Sequence, residues 1–336
     1  MVTSMVHEAT IRCLANQSRW NVRGAGVLRQ IAVSVARQSW LRKIAVSTPG
    51  VRGVAWRFVA GEDLAAGLAA LRAVNARGIS GTLNFVGTHV RSRAEAAAAA
   101  DAAIDALRSI HDEKLDSHLS VKLTQLGLDV DDAWCRSQLQ RVLDVARDVD
   151  VFVRIDMEES RYVDETIRIF EDMRERYGSD RVGIVIQSYL RGRSGDLDRL
   201  IAGGSRIRLV KGGYWEPAET VYRGRADIDR AFIDDIRRLL LAGRYPAIAT
   251  HDTAAIEVAR RTASEAGLDR KAFEFQMLYG VRQDLQDRLV ANGYLVRCYV
   301  PYGGDWFAYV LGCVRRLPGG AARQVRERFR RRAMRR

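Results

Sequence analysis

The chain has 336 residues, of which 47% are hydrophobic and 28% are charged, as in an ordinary folded domain rather than a disordered or fibrous chain. Its four cysteines and five histidines show no metal-ligand or disulfide spacing, and no apolar stretch reaches the length of a membrane span. The net charge of +13 owes much to residues 323–336, where eight arginines face one glutamate, so we expect no nucleic-acid partner from charge alone.

Residues 1–60 precede the first predicted strand, and their amphipathic pattern predicts helices packed on the domain that follows. In the simplest interpretation, the basic residues of this segment and of the tail 321–336 lie on solvated surfaces. The alternative is peripheral contact with an anionic membrane surface. The N-terminus has no clear signal-peptide core, so the sequence predicts a cytoplasmic protein.

Short β-type runs alternate with helical patterns through the rest of the chain. The predicted strands are 81–86, 118–123, 151–155, 182–187, 206–211, 246–250, 273–277 and 294–299. The predicted helices are 93–111, 132–147, 162–177, 227–242, 254–266 and 282–292. Eight strand–helix units predict an α/β fold, a (β/α)8 barrel of the TIM type over residues 61–320 with extra N-terminal helices. A doubly wound open sheet is the alternative, although the usual glycine-rich phosphate loops do not occur.

In such a barrel, chemistry takes place at the carboxyl-terminal ends of the strands. Lys122 and Asp156 each interrupt an apolar run at a predicted strand end, where an unpaired charge is costly. A structural ion pair between adjacent strands and a catalytic pair explain these charges about equally well. The run 204–216 adds two arginines, a lysine, a Gly-Gly pair and two adjacent aromatics at another strand end, which predicts a site for a planar anionic ligand.

Six phrases at the strand ends resemble the proline dehydrogenase family, in family order and at family spacing. They are Ser-Val-Lys-Leu from Ser120, Arg-Ile-Asp-Met-Glu-Glu from Arg154, Arg-Leu-Val-Lys-Gly-Gly-Tyr-Trp-Glu from Arg208, Ala-Thr-His-Asp from Ala249, Phe-Glu-Phe-Gln-Met-Leu-Tyr-Gly from Phe273 and Val-Pro-Tyr-Gly-Gly-Asp-Trp from Val300. The resemblance spans about 57–306 and implies an FAD-dependent (β/α)8 barrel. It implies that FAD is contacted by Gln187, Arg208, Lys211, Gly212, Gly213, Tyr214, Trp215, Thr250 and His251.

The resemblance also implies a substrate pocket on one face of the flavin, lined by Lys122, Asp156, Leu278 and Tyr299. We expect Asp156 and Lys122 to form an ion pair that orients the pocket and sets the protonation of the substrate amine. Tyr299 would supply a hydroxyl or shape the pocket wall. Hydride transfer from carbon to the flavin needs positive charge beside the reduced cofactor, a role that suits the cations Arg208 and Lys211.

We expect the glycine pair Gly212–Gly213 to let backbone approach the cofactor. The adjacent aromatics Tyr214 and Trp215 offer surface for cofactor packing. His251 is better suited to a hydrogen bond with the cofactor than to the role of a base.

The chain departs from the family pattern after Trp306. The family has Tyr-x-x-Arg-Arg on its last helix, whose arginine pair grips the substrate carboxylate, whereas Tyr309 is followed at those offsets by Gly312 and Cys313. An arginine pair occurs three residues later, at Arg315 and Arg316, about 4.5 Å further along a helix. Either an insertion restores the clamp, with Tyr309, Arg315 and Arg316 binding substrate, or the clamp is lost.

A second departure lies in the first strand, where the family commonly reads Leu-Asp-Leu-Leu-Gly-Glu. Asn84 and Thr88 stand at the two carboxylate positions. The loss of both carboxylates removes the local ion pairs that they would form.

The sequence therefore predicts an FAD-dependent dehydrogenase that oxidises L-proline, or a close proline-like amine, to the cyclic imine and passes electrons to a quinone. The alternative is a related flavoenzyme that acts on a different amine or amino-acid derivative, because Gly312 and Cys313 replace the clamp. A non-catalytic relative is a third interpretation, which the retained charges Arg208, Lys211 and Asp156 argue against. The oligomeric state does not follow from the sequence.

Overall fold

The structure is a computed structural model that describes residues 55–87, 90–306 and 309–310. The barrel lies in a compact unit formed by Arg57–Trp306. The predicted tail, 321–336, and most of the predicted N-terminal segment, 1–60, lie outside the described residues. Both stay predictions.

Eight parallel strands form a closed barrel in chain order, which confirms the predicted fold. The strands are β1 (Ser80–Phe85), β2 (Ser117–Val121), β3 (Val153–Ile155), β4 (Val182–Gln187), β5 (Arg206–Val210), β6 (Arg244–Ala249), β7 (Glu274–Leu278) and β8 (Leu295–Tyr302). The helices of this unit are α1 (Leu64–Asn75), α2 (Arg93–Asp112), α3 (Asp132–Asp148), α4 (Val163–Tyr177), α5 (Ser194–Ala202), α6 (Arg225–Ala242), α7 (Thr253–Glu265) and α8 (Gln283–Ala291).

Side-chain caps fix where several helices begin. The Asp63 carboxylate accepts the Ala66 N–H at 2.8 Å at the start of α1, and Asp252 accepts the Ala254 N–H at 3.0 Å at the start of α7. The sequence prediction missed α1 and α5. α5 has only nine residues and follows a loop rich in glycine and arginine, so its period was too short to be recognised.

Residues alternate along each strand between the helical layer and the barrel interior. In β5, Ile207 and Leu209 are fully buried in the apolar core, while Arg206 and Arg208 occupy the alternate positions. The helices cover the apolar side, and the interior is polar. The barrel therefore places charged side chains where water has little access.

β8 closes the barrel against β1 through six registered residue pairs, from Ser80–Arg297 to Phe85–Tyr302. Arg297 strengthens this seam, because its Nε donates to Glu274 Oε1 of β7 at 3.0 Å and its Nη1 donates to the Gly81 carbonyl at 2.7 Å. The closed sheet leaves its strand ends as the rims of one cylinder.

Over the described ranges, no helix combines the length and the apolar composition needed to cross a membrane.

Candidate active site

A buried carboxylate, Asp156, joins three strands near the carboxyl-terminal rim of the barrel. Its Oδ1 accepts a hydrogen bond from Arg208 Nη1 at 2.8 Å, and its Oδ2 accepts one from the Tyr299 hydroxyl at 2.7 Å. The side chains of Arg208 and Asp156 are only 6% and 10% exposed. A buried ion pair of this kind is stable only when further hydrogen bonds satisfy the remaining polar atoms.

Ser120 of β2 completes this cluster. Its hydroxyl donates to Asp156 Oδ1 at 3.2 Å and accepts a hydrogen bond from Arg208 Nη2 at 3.3 Å. The Arg208 guanidinium also lies 5.2 Å from the centroid of the Tyr299 ring, which adds a cation–π contact. The four side chains thus fix one another, and we call them the Asp156 cluster.

The predicted ion pair between Lys122 and Asp156 is wrong: the cation paired with Asp156 is Arg208. Asp156 pairs with Arg208 of β5, two strands away, and the adjacent β2 contributes the Ser120 hydroxyl rather than the Lys122 ammonium. Lys122 is half-buried, and no carboxylate of the described residues forms a salt bridge with it. Its charge opposes the effect of burial on Glu158.

Glu158 braces the rim beside Lys122. Its carboxylate accepts hydrogen bonds from the Thr124 N–H at 3.1 Å and the Thr124 hydroxyl at 2.7 Å. Burial raises the pKa of Glu158 above its ordinary value, while the charge of Lys122 lowers it. Gln187, at the end of β4, donates to the Glu158 carbonyl at 2.8 Å. The predicted cofactor residue Gln187 therefore holds the loop that follows β3.

Lys211 points toward the helical layer. Its ammonium pairs with Asp229 of α6 and with Asp252 at 2.8 Å, and it lies 5.6 Å from the ring centroid of Phe232. The structure thus brings Arg208 into the Asp156 cluster and directs Lys211 to two carboxylates outside it. At this site, Lys211 fastens the loop after β5 to the segment after β6.

Gly212 makes room for a neighbouring tyrosine. Its φ is +107°, and an added Cβ would lie 2.0 Å from the Tyr189 ring, so both conformation and space require glycine. The Tyr189 hydroxyl in turn donates to the Tyr214 carbonyl at 3.3 Å. Further along the loop, Gly213 is exposed and Trp215 is 63% exposed. The loop is therefore packed at its start and open at its tip.

His251 is a neutral hydrogen-bonding residue in this structure. Its Nε2 accepts the Leu278 N–H at 2.9 Å, so the ring proton is on Nδ1. Burial, with a smaller effect from Arg282, lowers the pKa of His251 to about 4. Thr250 is buried, and its hydroxyl accepts the Asp252 N–H at 3.1 Å. The hydrogen bond between His251 and Leu278 connects the ends of β6 and β7.

The predicted substrate clamp is outside the described part of the chain, apart from Tyr309, which is half-buried. Gly312, Cys313, Arg315 and Arg316 fall in that undescribed part, and their roles stay predictions.

Of the two positions in the first strand that differ from the family pattern, Asn84 lies within the described residues. Asn84 is buried, and its Nδ2 donates to the Ser120 carbonyl at 3.2 Å. It therefore supports β2 next to the Asp156 cluster. Thr88, at the second departure, falls between the described ranges.

Sequence reasoning missed two residues of the site, Ser120 and Thr124. A signal for Ser120 was present, because it precedes Lys122 by two residues and so shares its face of the strand. No comparable signal marked Thr124, whose role depends on a turn that brings its backbone to Glu158.

Comparison with known proteins identifies related chains. A family model described as "Proline dehydrogenase" matches residues 68–318. The chain is 34% identical over 296 residues to "Proline dehydrogenase 1" of Bacillus subtilis subsp. natto, covering 88% of this chain and 97% of that protein. It is 35% identical over 297 residues to "Proline dehydrogenase" of Deinococcus radiodurans, covering 88% and 95%.

A solved structure shares the fold. It is proline utilization A (PutA) from Bdellovibrio bacteriovorus, with a TM-score of 0.75 and 21% sequence identity over 93% of this chain. This chain spans 41% of the length of that protein.

Proposed function

This chain belongs to the proline dehydrogenase family, and on that premise we propose that it oxidises L-proline at its CH–NH bond to the cyclic imine, with FAD as the hydride acceptor. The enzyme is an oxidoreductase of proline catabolism. The structural observation that supports this function is the Asp156 cluster. It presents a paired carboxylate and a tyrosine hydroxyl at the carboxyl-terminal end of the barrel, where enzymes of this fold have their active sites.

The residues present fit a flavin. Arg208 Nε is buried and forms no hydrogen bond within the described chain, which leaves one donor of a fixed cation for a ligand. His251 has its proton on Nδ1, since Nε2 accepts the Leu278 N–H. We assign Arg208, His251, Gln187, Thr250 and the loop 211–215 to FAD.

When bound, FAD would take up the hydride that leaves the substrate carbon. The protein must then favour negative charge beside the cofactor, and Arg208 supplies a positive charge that Asp156 and Ser120 hold in place. Because the orientation of Arg208 is fixed before the reaction, no side-chain reorganisation is required of it.

On the substrate side, the carbon gives up a hydride and the nitrogen gives up a proton, which leaves for water. Both Asp156 oxygens already accept hydrogen bonds, so we assign Asp156 to orienting Arg208 and Tyr299 rather than to removing this proton. Lys122 forms no salt bridge with the described carboxylates, and we assign it to the substrate carboxylate. Leu278 and Tyr299 would form pocket wall, and Tyr309, Arg315 and Arg316 stay candidates for the same carboxylate.

The relatives favour proline over the alternative, a different amine, because proteins that match 88% of this chain are named for proline. As the electron acceptor we propose a quinone. We also propose that the protein is cytoplasmic and that its basic ends make peripheral contact with a membrane.

The test is flavin reduction by substrate. Protein incubated with FAD and passed through a desalting column should retain the yellow cofactor, and L-proline should bleach it without oxygen. D-proline, which has the same charge and size, is the control and should bleach it far more slowly. A preparation that retains no FAD would overturn the cofactor assignment, and retained FAD that L-proline does not reduce would overturn the substrate.

A further inference from the structure

The half of the barrel interior that lies toward the amino-terminal ends of the strands contains more positive than negative charge. Two arginines that face the interior have carboxylate partners: Arg208 pairs with Asp156, and Arg297 pairs with Glu274 at 3.0 Å. Two others, Arg154 and Arg206, form no salt bridge with any carboxylate of the described residues. Taking an uncompensated charge out of water is costly, so these two guanidinium groups require an explanation.

Arg154 is fully buried, with an exposed fraction of 0%. Its Nη1 donates to two backbone carbonyls, of Ile184 at 3.1 Å and of Arg206 at 2.6 Å. Its Nε and Nη2 find no partner in the described chain. Arg154 therefore presents two unused donors and one full charge to the interior of the barrel.

Arg206 lies near this guanidinium at the amino-terminal end of β5. It stacks 4.2 Å from the ring centroid of Phe152 and 4.6 Å from that of Tyr245, and Arg154 stacks 4.9 Å from the same Phe152 ring. The Nε of Arg206 is also buried without a described partner. Arg206 is only partly buried and is therefore in contact with solvent.

His118 adds a third unused polar group. Its ring lies 4.6 Å from Phe152, and its Nδ1 is buried without a described partner. Burial, followed by the nearby arginines, lowers the pKa of His118 well below its ordinary value, so it contributes no charge of its own. Two carboxylates also act on Arg206, and each already has an arginine partner: Glu274 pairs with Arg297 and Asp180 with Arg244.

Three local features of the backbone lie beside these side chains. The β5–β6 register shifts between Arg206 and Arg208, as happens where a bulge re-aims a side chain. Tyr245 has a φ of +43°, a strained conformation for a tyrosine. At Gly183, an added Cβ would lie 2.8 Å from Arg154 Nη1. The first two are departures from regular strand geometry, and the third leaves room for the Arg154 guanidinium.

We propose that Arg154 and Arg206 hold a small monovalent anion of the halide class at the amino-terminal end of the barrel, opposite the candidate active site. Water would satisfy the free N–H groups but would leave the charges uncompensated, whereas a halide satisfies both. The enclosed position of Arg154 and the surrounding aromatic rings suit a compact anion rather than a phosphate ester. This site does not depend on the proposed oxidation of proline.

Bromide is the probe, because it scatters anomalously and replaces chloride. Crystals of the full chain soaked in sodium bromide should show an anomalous peak next to Arg154 Nε or Nη2. In solution, chloride or bromide should raise the melting temperature of the protein by about 3 °C relative to sodium gluconate at equal ionic strength, since gluconate is too large for the site.

Arg206→Gln should remove the difference between halide and gluconate. Arg237→Gln is the matched control, because Arg237 lies exposed on α6 and pairs with Asp234; it should keep the difference. No bromide peak at Arg154, or water alone there at high bromide, would overturn the proposal. So would a halide effect that persists unchanged in Arg206→Gln. If that variant does not fold, the bromide peak in the unmodified protein decides alone.

Discussion

Tyr299 donates its hydroxyl to Asp156 across the barrel, at 2.7 Å, although the two residues are 143 positions apart in the chain. The same carboxylate pairs with Arg208 on its other oxygen. One buried Asp thus sets the positions of an aromatic ring and of a cation, and the consequences of disturbing each can be measured separately.

Tyr299→Phe removes one of the hydrogen bonds to Asp156 and leaves the ring. Loss of a hydrogen bond to a buried charged group costs about 1–3 kcal/mol, so we expect kcat/KM for L-proline to fall by roughly 10- to 100-fold. Tyr177→Phe is the control, because its hydroxyl donates to Asp144 at 2.9 Å far from the site. Equal loss of activity in both variants would contradict a role for Tyr299 in the reaction.

Asp156→Asn leaves Arg208 buried without a counter-charge. Breaking a buried ion pair in this way costs about 3–5 kcal/mol, and urea unfolding should show that loss. For comparison, Asp198→Asn removes a carboxylate that is 59% exposed and pairs with Arg238, and it should cost less than about 1 kcal/mol. The buried pair is unimportant for stability if the two variants unfold at the same urea concentration.

Lys122→Met tests whether this lysine binds substrate or supports the fold. Because no described carboxylate forms a salt bridge with Lys122, we expect little change in melting temperature. Loss of a charged contact to the proline carboxylate should raise KM by roughly 30-fold, which corresponds to about 2 kcal/mol. Lys271→Met, on the surface, serves as the control in steady-state kinetics. A large drop in melting temperature with an unchanged KM would show that Lys122 is structural.

His251 makes the stability of the fold depend on pH. Its pKa is lowered to about 4 in the folded protein from about 6.5 in an unfolded chain, so the unfolded state binds more protons in the interval between these values. Through His251, stability should therefore fall as the pH falls, by about 2 kcal/mol between pH 7 and pH 5.

Urea unfolding at the two pH values measures this effect. His251→Gln should reduce the difference between pH 7 and pH 5 by about 2 kcal/mol, and the remainder includes the contribution of His118, whose pKa burial also lowers. His111→Gln, at an exposed position, should preserve the full difference. A pH dependence that is the same with and without His251 would disprove the assignment.

Gly212→Ala places a methyl group against the Tyr189 ring. Gly204→Ala is a matched control, since Gly204 also has a positive φ, +66°, but an added Cβ there meets no atom within 4 Å. We expect about 1 kcal/mol of destabilisation at Gly204 from backbone strain and a further 1–3 kcal/mol at Gly212 from the clash. FAD retention should fall in Gly212→Ala alone. Equal melting temperatures would show that Tyr189 moves aside without cost.

The strand pattern could be predicted from sequence because each strand is a short apolar run with breaks on both sides. β4 was predicted with its observed bounds, Val182–Gln187. β8 runs on to Tyr302, beyond the predicted end, because Asn84 and Phe85 of β1 pair with Pro301 and Tyr302. Such an extension depends on a neighbouring strand and not on local composition.

The sequence located the charges of the site but did not identify their partners. Lys122 and Asp156 follow adjacent strands, which favoured a pair between them, whereas the barrel brings Arg208 to Asp156 from a strand two places away. Lys211 illustrates the same limit, because only the packing of α6 shows that Asp229 is in reach. Strand order predicts which end of the barrel a side chain occupies, and packing decides its direction.

The closure of the barrel by β8 also has a consequence for biosynthesis. Tyr299 lies on β8, which is synthesised after the other seven strands of the barrel. β1 pairs with β8 along its second edge, so this edge stays unpaired until β8 has been made. A translation product that stops before β8 lacks the hydroxyl that binds Asp156 and keeps an open seam. A partly synthesised barrel therefore has an incomplete Asp156 cluster.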